Sequence, residues 1–183
     1  MVQAHHKENR LKIIGIDPGL AATGIGIIGG IGTTVTSYSF SSIRTAQDLS
    51  LAMRLDRIFT QLIDILEVER PDLMVVEDVF SLEKYPTSGI TLGKVTGVVL
   101  LVGCRSNVPI IEMPVRLAKQ VLTGNGNASK AQLEKSVRHH LNIAKPIRPY
   151  HASDALALAM IGLFRYNQAI RKAGGSAPDM NRN

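Results

Sequence analysis

The chain of 183 residues lacks tryptophan and has only four phenylalanines, four tyrosines and one cysteine, Cys104. A single cysteine excludes an intramolecular disulfide and a cysteine-rich zinc site, and it is typical of a protein of the reducing cytoplasm. Because Cys104 follows the apolar run VVLLVG, we expect its thiol to be buried and unreactive. Since aromatic side chains are so few, each exposed one is more informative in this chain than in most.

Long hydrophobic runs are also lacking. The longest, at residues 95–104, is too short to span a bilayer, and the start of the chain, MVQAHHKENR, has no apolar signal segment. We therefore expect a cytoplasmic protein that does not enter a membrane. The length and the 45% hydrophobic content predict a single domain at residues 11–170, between a polar N-terminal tail at 1–10 and a flexible C-terminal tail at 171–183.

Acidic residues are outnumbered, 15 against 21 basic ones, so the formal net charge is +6. This balance favours a polyanionic partner, nucleic acid before membrane. Most of the excess lies between Glu112 and Arg148, where seven basic residues face two acidic ones. The alternative is that these side chains only form solvated helix faces. The seven are Arg116, Lys119, Lys130, Lys135, Arg138, Lys145 and Arg148.

The first half of the chain alternates between strand and helix patterns. Residues 11–16, 23–28 and 33–40 are apolar or β-branched runs separated by DPG and by glycines, which predicts a three-strand meander. Residues 48–68 carry apolar side chains at helical spacing. The run DLMVVEDVF predicts a central strand that is covered on both faces.

The second half is mainly helical. Residues 87–104 predict a mostly buried helix, and VPIIEM predicts a fifth strand. A short helix at 114–122 follows, and Ser129 with Gln132 predicts a capping box for a helix to about residue 142. The last helix contains HASDALALAM. The order β-β-β-α-β-α-β-α-α-α predicts an α/β fold, a mixed five-stranded sheet with helices on both faces.

Four potential metal ligands stand at the ends of these elements. Asp17 and Glu77 end two predicted strands, and His151 and Asp154 lie three residues apart near the start of the last helix. Each alone is more often a turn or cap residue. Together they predict a site at one edge of the sheet that binds Mg²⁺ or Mn²⁺ and hydrolyses phosphodiesters, since two cations can activate water and stabilise the leaving oxygen.

The stretches IIGIDPGLAATGIGII, VVEDVF and HASDALALA resemble the three motifs of the RuvC family of Holliday junction resolvases, in order, from about residue 11 to residue 165. The resemblance implies a ribonuclease H-like fold, a homodimer, and paired nicks in four-way DNA junctions during homologous recombination and DNA repair. It also implies two Mg²⁺ ions per site and a branch-migration helicase partner of the RuvA–RuvB type. Asp17, Glu77 and Asp154 match the catalytic, metal-binding acids of the family.

His151 departs from the family pattern, because many members have an aspartate there. Its imidazole is either a fourth metal ligand or the group that positions the attacking water. As a ligand it would suit Mn²⁺ better than Mg²⁺, so Mn²⁺ is expected to support higher activity.

Three features are candidates for DNA contact. Lys119 and Lys130 match basic residues that contact the junction in the family, and Arg116 precedes them. Phe80 matches a functional phenylalanine of the family and would stack on an unpaired base; the alternative is a core residue. The loop GNGN either presents backbone amides to phosphates or merely joins two helices.

The sequence is also compatible with other interpretations. The helix at 87–104, with Gly89, Gly93 and Gly97, is either a homodimer interface or buried within the monomer. An actin-like or sugar kinase needs two such domains, which 183 residues cannot hold. Another ribonuclease H-like nuclease acting on RNA or flaps would share the site, and a non-catalytic junction-binding module would not need all the acids.

Overall fold

A computed structural model of the protein describes residues 10–78 and 86–172, so both chain ends and Phe80 lie outside the described residues. Five strands and five helices follow in the predicted order. The strands are β1 (Arg10–Asp17), β2 (Ala22–Ile31), β3 (Thr34–Arg44), β4 (Leu73–Glu77) and β5 (Ile110–Met113). The helices are α1 (Leu51–Glu69), α2 (Pro86–Arg105), α3 (Val115–Thr123), α4 (Lys130–His140) and α5 (Tyr150–Lys172).

The strands form one mixed sheet in the order β3-β2-β1-β4-β5. The first three strands are an antiparallel meander, whereas β4 runs parallel to both β1 and β5. Because β4 is internal, residues 73–76 are buried on both faces, as their uninterrupted apolar sequence predicts. The predicted α/β architecture is confirmed.

Alternating side chains of β1 and β4 build two separate apolar layers. On one face Ile13, Leu73 and Val75 pack in a layer formed mainly with α3, α4 and α5. On the other face Ile14 and Met74 pack in a layer formed mainly with α1 and α2. Helices therefore cover both faces of the sheet, and the period of two along each strand explains how one sequence supplies both layers.

Glycines in the sheet let α5 lie directly against the strands. A β-carbon on Gly15 would come within 2.0 Å of the Ala155 carbonyl oxygen. One on Gly24 would come within 2.1 Å of the His151 carbonyl oxygen. Such contacts are far inside van der Waals distance, so these positions fix how closely the start of α5 approaches β1 and β2.

The helix ends follow the local signals in the sequence. The predicted capping box of α4 is present: the Ser129 hydroxyl accepts from the Gln132 amide, and the Gln132 side chain accepts from the Ser129 amide. At the start of α1, the Ser50 hydroxyl accepts from the Met53 amide. These caps satisfy amide groups that a helix cannot pair internally.

Helix α2 is less buried than its sequence predicts. Val95, Val99 and Val102 face the core, but the opposite face is open to solvent, and Cys104 is exposed rather than buried. The expectation for Cys104 was wrong because an apolar run on a helix has two sides, and only one of them meets the core. By length and composition alone, Ser88–Arg105 would suffice to cross a membrane, which is weak evidence because packing helices of globular proteins pass the same test.

Candidate active site

Asp17 and Glu77 lie side by side at the carboxyl edge of the sheet. Strands β1 and β4 are parallel and pair Ile16 with Val76, so the next residue of each strand is an acid on the same face. That face is the one covered by α5. Asp17 is buried and Glu77 is partly buried.

The first turn of α5 brings His151 and Asp154 to this edge. His151 Nδ1 lies 2.6 Å from Asp17 Oδ2, a short hydrogen bond that spans 134 residues of sequence. Asp154 is buried one turn further along. The four residues predicted to form the site thus converge from β1, β4 and α5.

Glu77 is held in its neutral form. Burial is the main cause, and a side-chain hydrogen bond with Asp17 and the negative charges of Asp17 and Asp154 act in the same direction. Together they raise the pKa of Glu77 to about 9, against the smaller opposing influence of Lys130. At neutral pH the Glu77 carboxyl is therefore protonated and shares its proton with Asp17.

The pKa of Asp154 is raised for similar reasons but less strongly. Burial and the charge of Asp17 raise its pKa to about 6, while Lys130, His151 and Lys119 favour the ionised form. The Lys130 ammonium lies 3.7 Å from Asp154 Oδ2. The other oxygen, Oδ1, is buried and has no hydrogen-bond partner among the described residues.

His151 is biased towards the imidazolium. Its hydrogen bond to Asp17 raises the pKa, with help from the Asp17 charge, although partial burial opposes this. An imidazole adds no negative charge whether it is neutral or protonated, so Asp17 with His151 is less negative than two carboxylates at these positions.

The donor set fits a divalent cation. Three carboxylates and an imidazole are ligands that Mg²⁺ and Mn²⁺ accept, and a cation would relieve both the like-charge repulsion and the unpartnered Asp154 oxygen. Within residues 10–78 and 86–172, however, no three such groups are arranged to hold an ion as they stand. Asp17 hydrogen-bonds to His151, and Lys130 lies beside Asp154, so a cation has to replace these internal partners.

Both lysines that were predicted to bind DNA border the site. Lys130 at the start of α4 acts electrostatically on Glu77, His151 and Asp154, and Lys119 of α3 acts on Asp154. Arg116 is exposed on α3, against the loop that joins α3 to α4. The basic segment is therefore adjacent to the acids.

Arg138 does not share this role. Its Nε lies 2.7 Å from Oε1 of Glu134, which is buried and also accepts a hydrogen bond from the Ile147 amide. The pair ties α4 to the segment that leads into α5. The fold thus supplies a carboxylate partner for Arg138, which was not among the residues predicted to bind DNA.

The structure favours the plain-loop interpretation of GNGN. Backbone amides of the loop already have partners within the loop or α3: Gly126 donates to Gln120 Oε1, Asn127 to Asn125 Oδ1, and Asn125 to Thr123 Oγ1. Amides engaged in this way are not free to bind phosphate. Phe80 lies outside the described residues, so its stacking role stays a prediction.

The glycines that seat α5 were not among the predicted site residues. Gly24 faces His151, and Gly26 faces Leu156, whose amide nitrogen would lie 2.4 Å from an added β-carbon. The signal was present as TGIGII, since glycine at alternate positions of a strand marks one face where another backbone approaches closely.

A mixed sheet of this order, with acids converging at its carboxyl edge beside basic helices, defines a nuclease of the ribonuclease H-like class. The family model described as crossover junction endodeoxyribonuclease RuvC matches residues 13–162. The chain belongs to the RuvC family.

Relatives agree with this assignment. The crossover junction endodeoxyribonuclease RuvC of Desulforamulus reducens is 37% identical over 148 residues, which cover 81% of this chain and 90% of the relative. That of Mannheimia succiniciproducens is 39% identical over 149 residues, covering 81% and 73%.

Solved structures show the same fold. T. thermophilus RuvC in complex with Holliday junction substrate has a TM-score of 0.78 and 26% identity, and the match covers 92% of this chain and 99% of that one. The yeast mitochondrial Holliday junction resolvase, at 12% identity and a TM-score of 0.54 over 88% and 83% of the two chains, shares the fold alone.

Proposed function

We propose that this chain is a structure-selective endonuclease that resolves four-way DNA junctions by metal-dependent nicks in opposing strands. The observation that carries the proposal is the convergence of Asp17, Glu77, His151 and Asp154 at one sheet edge, with two carboxyl pKa values raised by burial and by one another. Family membership and the similarity to a RuvC that binds Holliday junction substrate support it. Such an activity serves homologous recombination and DNA repair.

Asp17, Glu77 and Asp154 would hold divalent cations, two per site, in this mechanism. When bound, such ions lower the pKa of water and stabilise the charge of the leaving oxygen. The carboxylates supply that binding only when ionised, so Glu77 must release the proton that it shares with Asp17. We expect cation binding and deprotonation of Glu77 to be linked.

His151 has two possible roles, and its geometry favours one of them. Its Nδ1 is engaged by Asp17, which orients the ring and leaves Nε2 as the nitrogen that can hold a water by a hydrogen bond. We infer that His151 positions the attacking water. If His151 ligates metal instead, it strengthens the binding of Mn²⁺ more than that of Mg²⁺, because imidazole suits the softer ion.

Lys119, Lys130 and Arg116 would draw the phosphate backbone over the acids. Electrostatic attraction of this kind gives affinity without sequence preference. Lys130 has a second effect, because its ammonium favours the ionised form of Glu77 and Asp154. Phe80 remains the candidate for stacking on an unpaired base.

A homodimer fits both the symmetry of the junction and the exposed face of α2. Ile90 is 62% exposed and Leu101 is 51% exposed, and a β-carbon added to Gly93 or Gly97 would meet nothing within 4 Å. A two-fold interface along this face would place two sites on one junction. We also infer action in the cytoplasm, together with a branch-migration helicase of the RuvA–RuvB type.

The test is a nicking assay on four substrates: a synthetic four-way junction, a linear duplex, a flap and an RNA–DNA hybrid. Each is incubated with Mg²⁺, Mn²⁺ or chelator, and Asp154→Asn is the matched inactive variant. We expect paired, symmetric, cation-dependent nicks in the junction alone. Preferred cleavage of the hybrid or the flap would favour the alternative of another ribonuclease H-like nuclease, and metal-independent cleavage would contradict the proposed site.

A further inference from the structure

Strand β3 is an edge strand whose pairing with β2 is irregular at Thr36 and regular from Ser37 to Arg44. It lies at one end of the sheet, so only β2 pairs with it among the described residues. Its sequence from residue 34 to residue 43, TVTSYSFSSI, contains no charge and no proline. Natural edge strands of this length are normally blunted by lysine, proline or a covering element, because their free backbone groups pair with other strands.

The middle of β3 is exposed on both faces of the sheet. Residues 36–41 are all exposed, including Tyr38 at 43% and Phe40 at 38%, and neither ring packs in the two apolar layers. Beside them, a groove of 350 Å³ between β3 and α1 has Ile25 and Ile27 in its lining. Two of the chain's eight Phe and Tyr residues therefore stand exposed in the middle of this strand.

The sequence of this segment is nearly symmetric about Ser39. Residues 37–41 read SYSFS, so an antiparallel pair of two such strands centred on Ser39 would set Tyr38 of each strand opposite Phe40 of the other. Ser37 would face Ser41 on the opposite side of the sheet. Aromatic pairs and serine pairs are favourable across strands, and no like charges meet.

We propose that the β3 edge pairs with β3 of a second copy of this chain, antiparallel and in register about Ser39. This is an isologous contact, in which the same segment serves both partners. It is separate from the α2 face, because α2 packs on the side of β4 and β5, at the other end of the sheet. Pairing through β3 would therefore join α2-linked dimers into larger assemblies.

Site-directed cross-linking tests the register. In a Cys104→Ser background, which removes the exposed native thiol, a short thiol cross-linker should join Ser39→Cys to itself. Ser37→Cys should not join to itself but should join to Ser41→Cys when the two proteins are mixed. Equal yields in all combinations, or no yield for Ser39→Cys and for the mixture, would overturn the proposal.

Sedimentation velocity supplies an independent measurement. Ser39→Lys sets two ammonium groups opposite each other, so the largest species should need about tenfold more protein to form. Thr60→Lys, which adds the same charge to an exposed position of α1, should leave the assembly unchanged. Melting temperatures verify that both variants are folded. An unchanged distribution for Ser39→Lys would contradict pairing through β3.

Discussion

The Asp17–His151 contact is the residue-scale feature that distinguishes this site from a cluster of four acids. A 2.6 Å hydrogen bond keeps the imidazole next to the carboxylate, and it raises the pKa of His151. An aspartate in its place would add a negative charge beside Asp17 instead of compensating it. A site with aspartate at position 151 would therefore need more positive charge from bound cations than the site with His151.

His151→Asp distinguishes a histidine that positions water from one that ligates metal. A water-positioning histidine should leave the ratio of the Mn²⁺ and Mg²⁺ rates unchanged while both rates fall. A metal-ligating histidine should make the wild-type protein faster with Mn²⁺, and the variant should reverse or lose that preference, because the imidazole is replaced by a hard oxygen donor. Initial rates across matched titrations of both ions measure this. His139→Asp, an exposed histidine of α4, is the control and should keep the wild-type ratio. Equal ratios in all three proteins would count against His151 as a metal ligand.

The raised carboxyl pKa values predict the pH dependence of stability. The folded protein holds protons on Glu77 up to about pH 9 and on Asp154 up to about pH 6, whereas the unfolded chain releases them near 4.5 and 3.8. The folded state thus binds more protons, so the free energy of unfolding falls as pH rises through this window. The raised pKa of His151 acts in the same direction above its ordinary value of 6.5.

Calorimetry in chelator between pH 5 and pH 9 checks this pH dependence. Glu77→Gln should flatten the fall in melting temperature, and Glu67→Gln, an exposed acid of α1, should not. Added Mg²⁺ should also flatten it, since a cation favours the ionised carboxylates. A melting temperature that rises with pH in the wild type would contradict the proposed protonation of Glu77.

At the element scale, the position of α5 determines whether the site forms. Its first turn carries His151 and Asp154, and the sheet admits it only because Gly15, Gly24 and Gly26 present no β-carbon. Backbone cannot move aside as a flexible side chain can. A methyl group at these positions must therefore displace the helix or bend the strands.

Gly24→Ala should lower the free energy of unfolding by about 1–3 kcal/mol. It should reduce the nicking rate by a larger proportion, because the added methyl group clashes with the backbone of His151 itself. Gly97→Ala is the matched control: it lies on the exposed face of α2 with open space around it, and it should gain up to about 1 kcal/mol from helix propensity. Denaturant melts at low protein concentration compare the two variants, and the nicking rate of Gly24→Ala is compared with that of the wild type because Gly97 lies on the proposed dimer face. Equal stability of both variants would show that α5 is not seated by Gly24.

Sequence pattern predicted all ten elements in order because each has a clear period and its own breaks, such as the capping box of α4. It also predicted which residues meet at the sheet edge, since parallel strands share their carboxyl ends. It did not predict the exposure of Cys104 or the pairing of Arg138 with Glu134. Both depend on which neighbour a helix face meets, and that is set by tertiary packing rather than by periodicity.

On the scale of the whole molecule, charge is divided between the two faces of the sheet. The lysines of α3 and α4 border the site on the α5 face, whereas Arg57 is exposed on α1 on the opposite face. Only the first group is placed to neutralise phosphates that lie over the acids. The positive charge of Lys119 and Lys130 therefore acts next to the catalytic edge.

Lys119→Gln should weaken junction binding at every sequence and reduce the slope of log affinity against log salt by about one. Arg57→Gln makes the same charge change on the far face and should leave the slope unchanged. Binding is measured by fluorescence anisotropy at several salt concentrations, in chelator to prevent cleavage. Equal slopes for the two variants would mean that Lys119 makes no phosphate contact.

Leu101→Asp tests whether two copies share the exposed face of α2. This face combines Ile90, Leu101 and two glycines with room around them, so an acid there should split a dimer without disturbing the core. Val68→Asp is the control, because Val68 is 78% exposed on α1 and equally apolar. In a Ser39→Lys background, which blocks pairing through β3, sedimentation equilibrium should give monomers for Leu101→Asp and dimers for Val68→Asp. Symmetric resolution needs two active sites on one junction. The monomeric variant should therefore make single nicks, whereas the control makes paired nicks. Paired nicks made by a monomer would show that cleavage does not depend on the α2 interface.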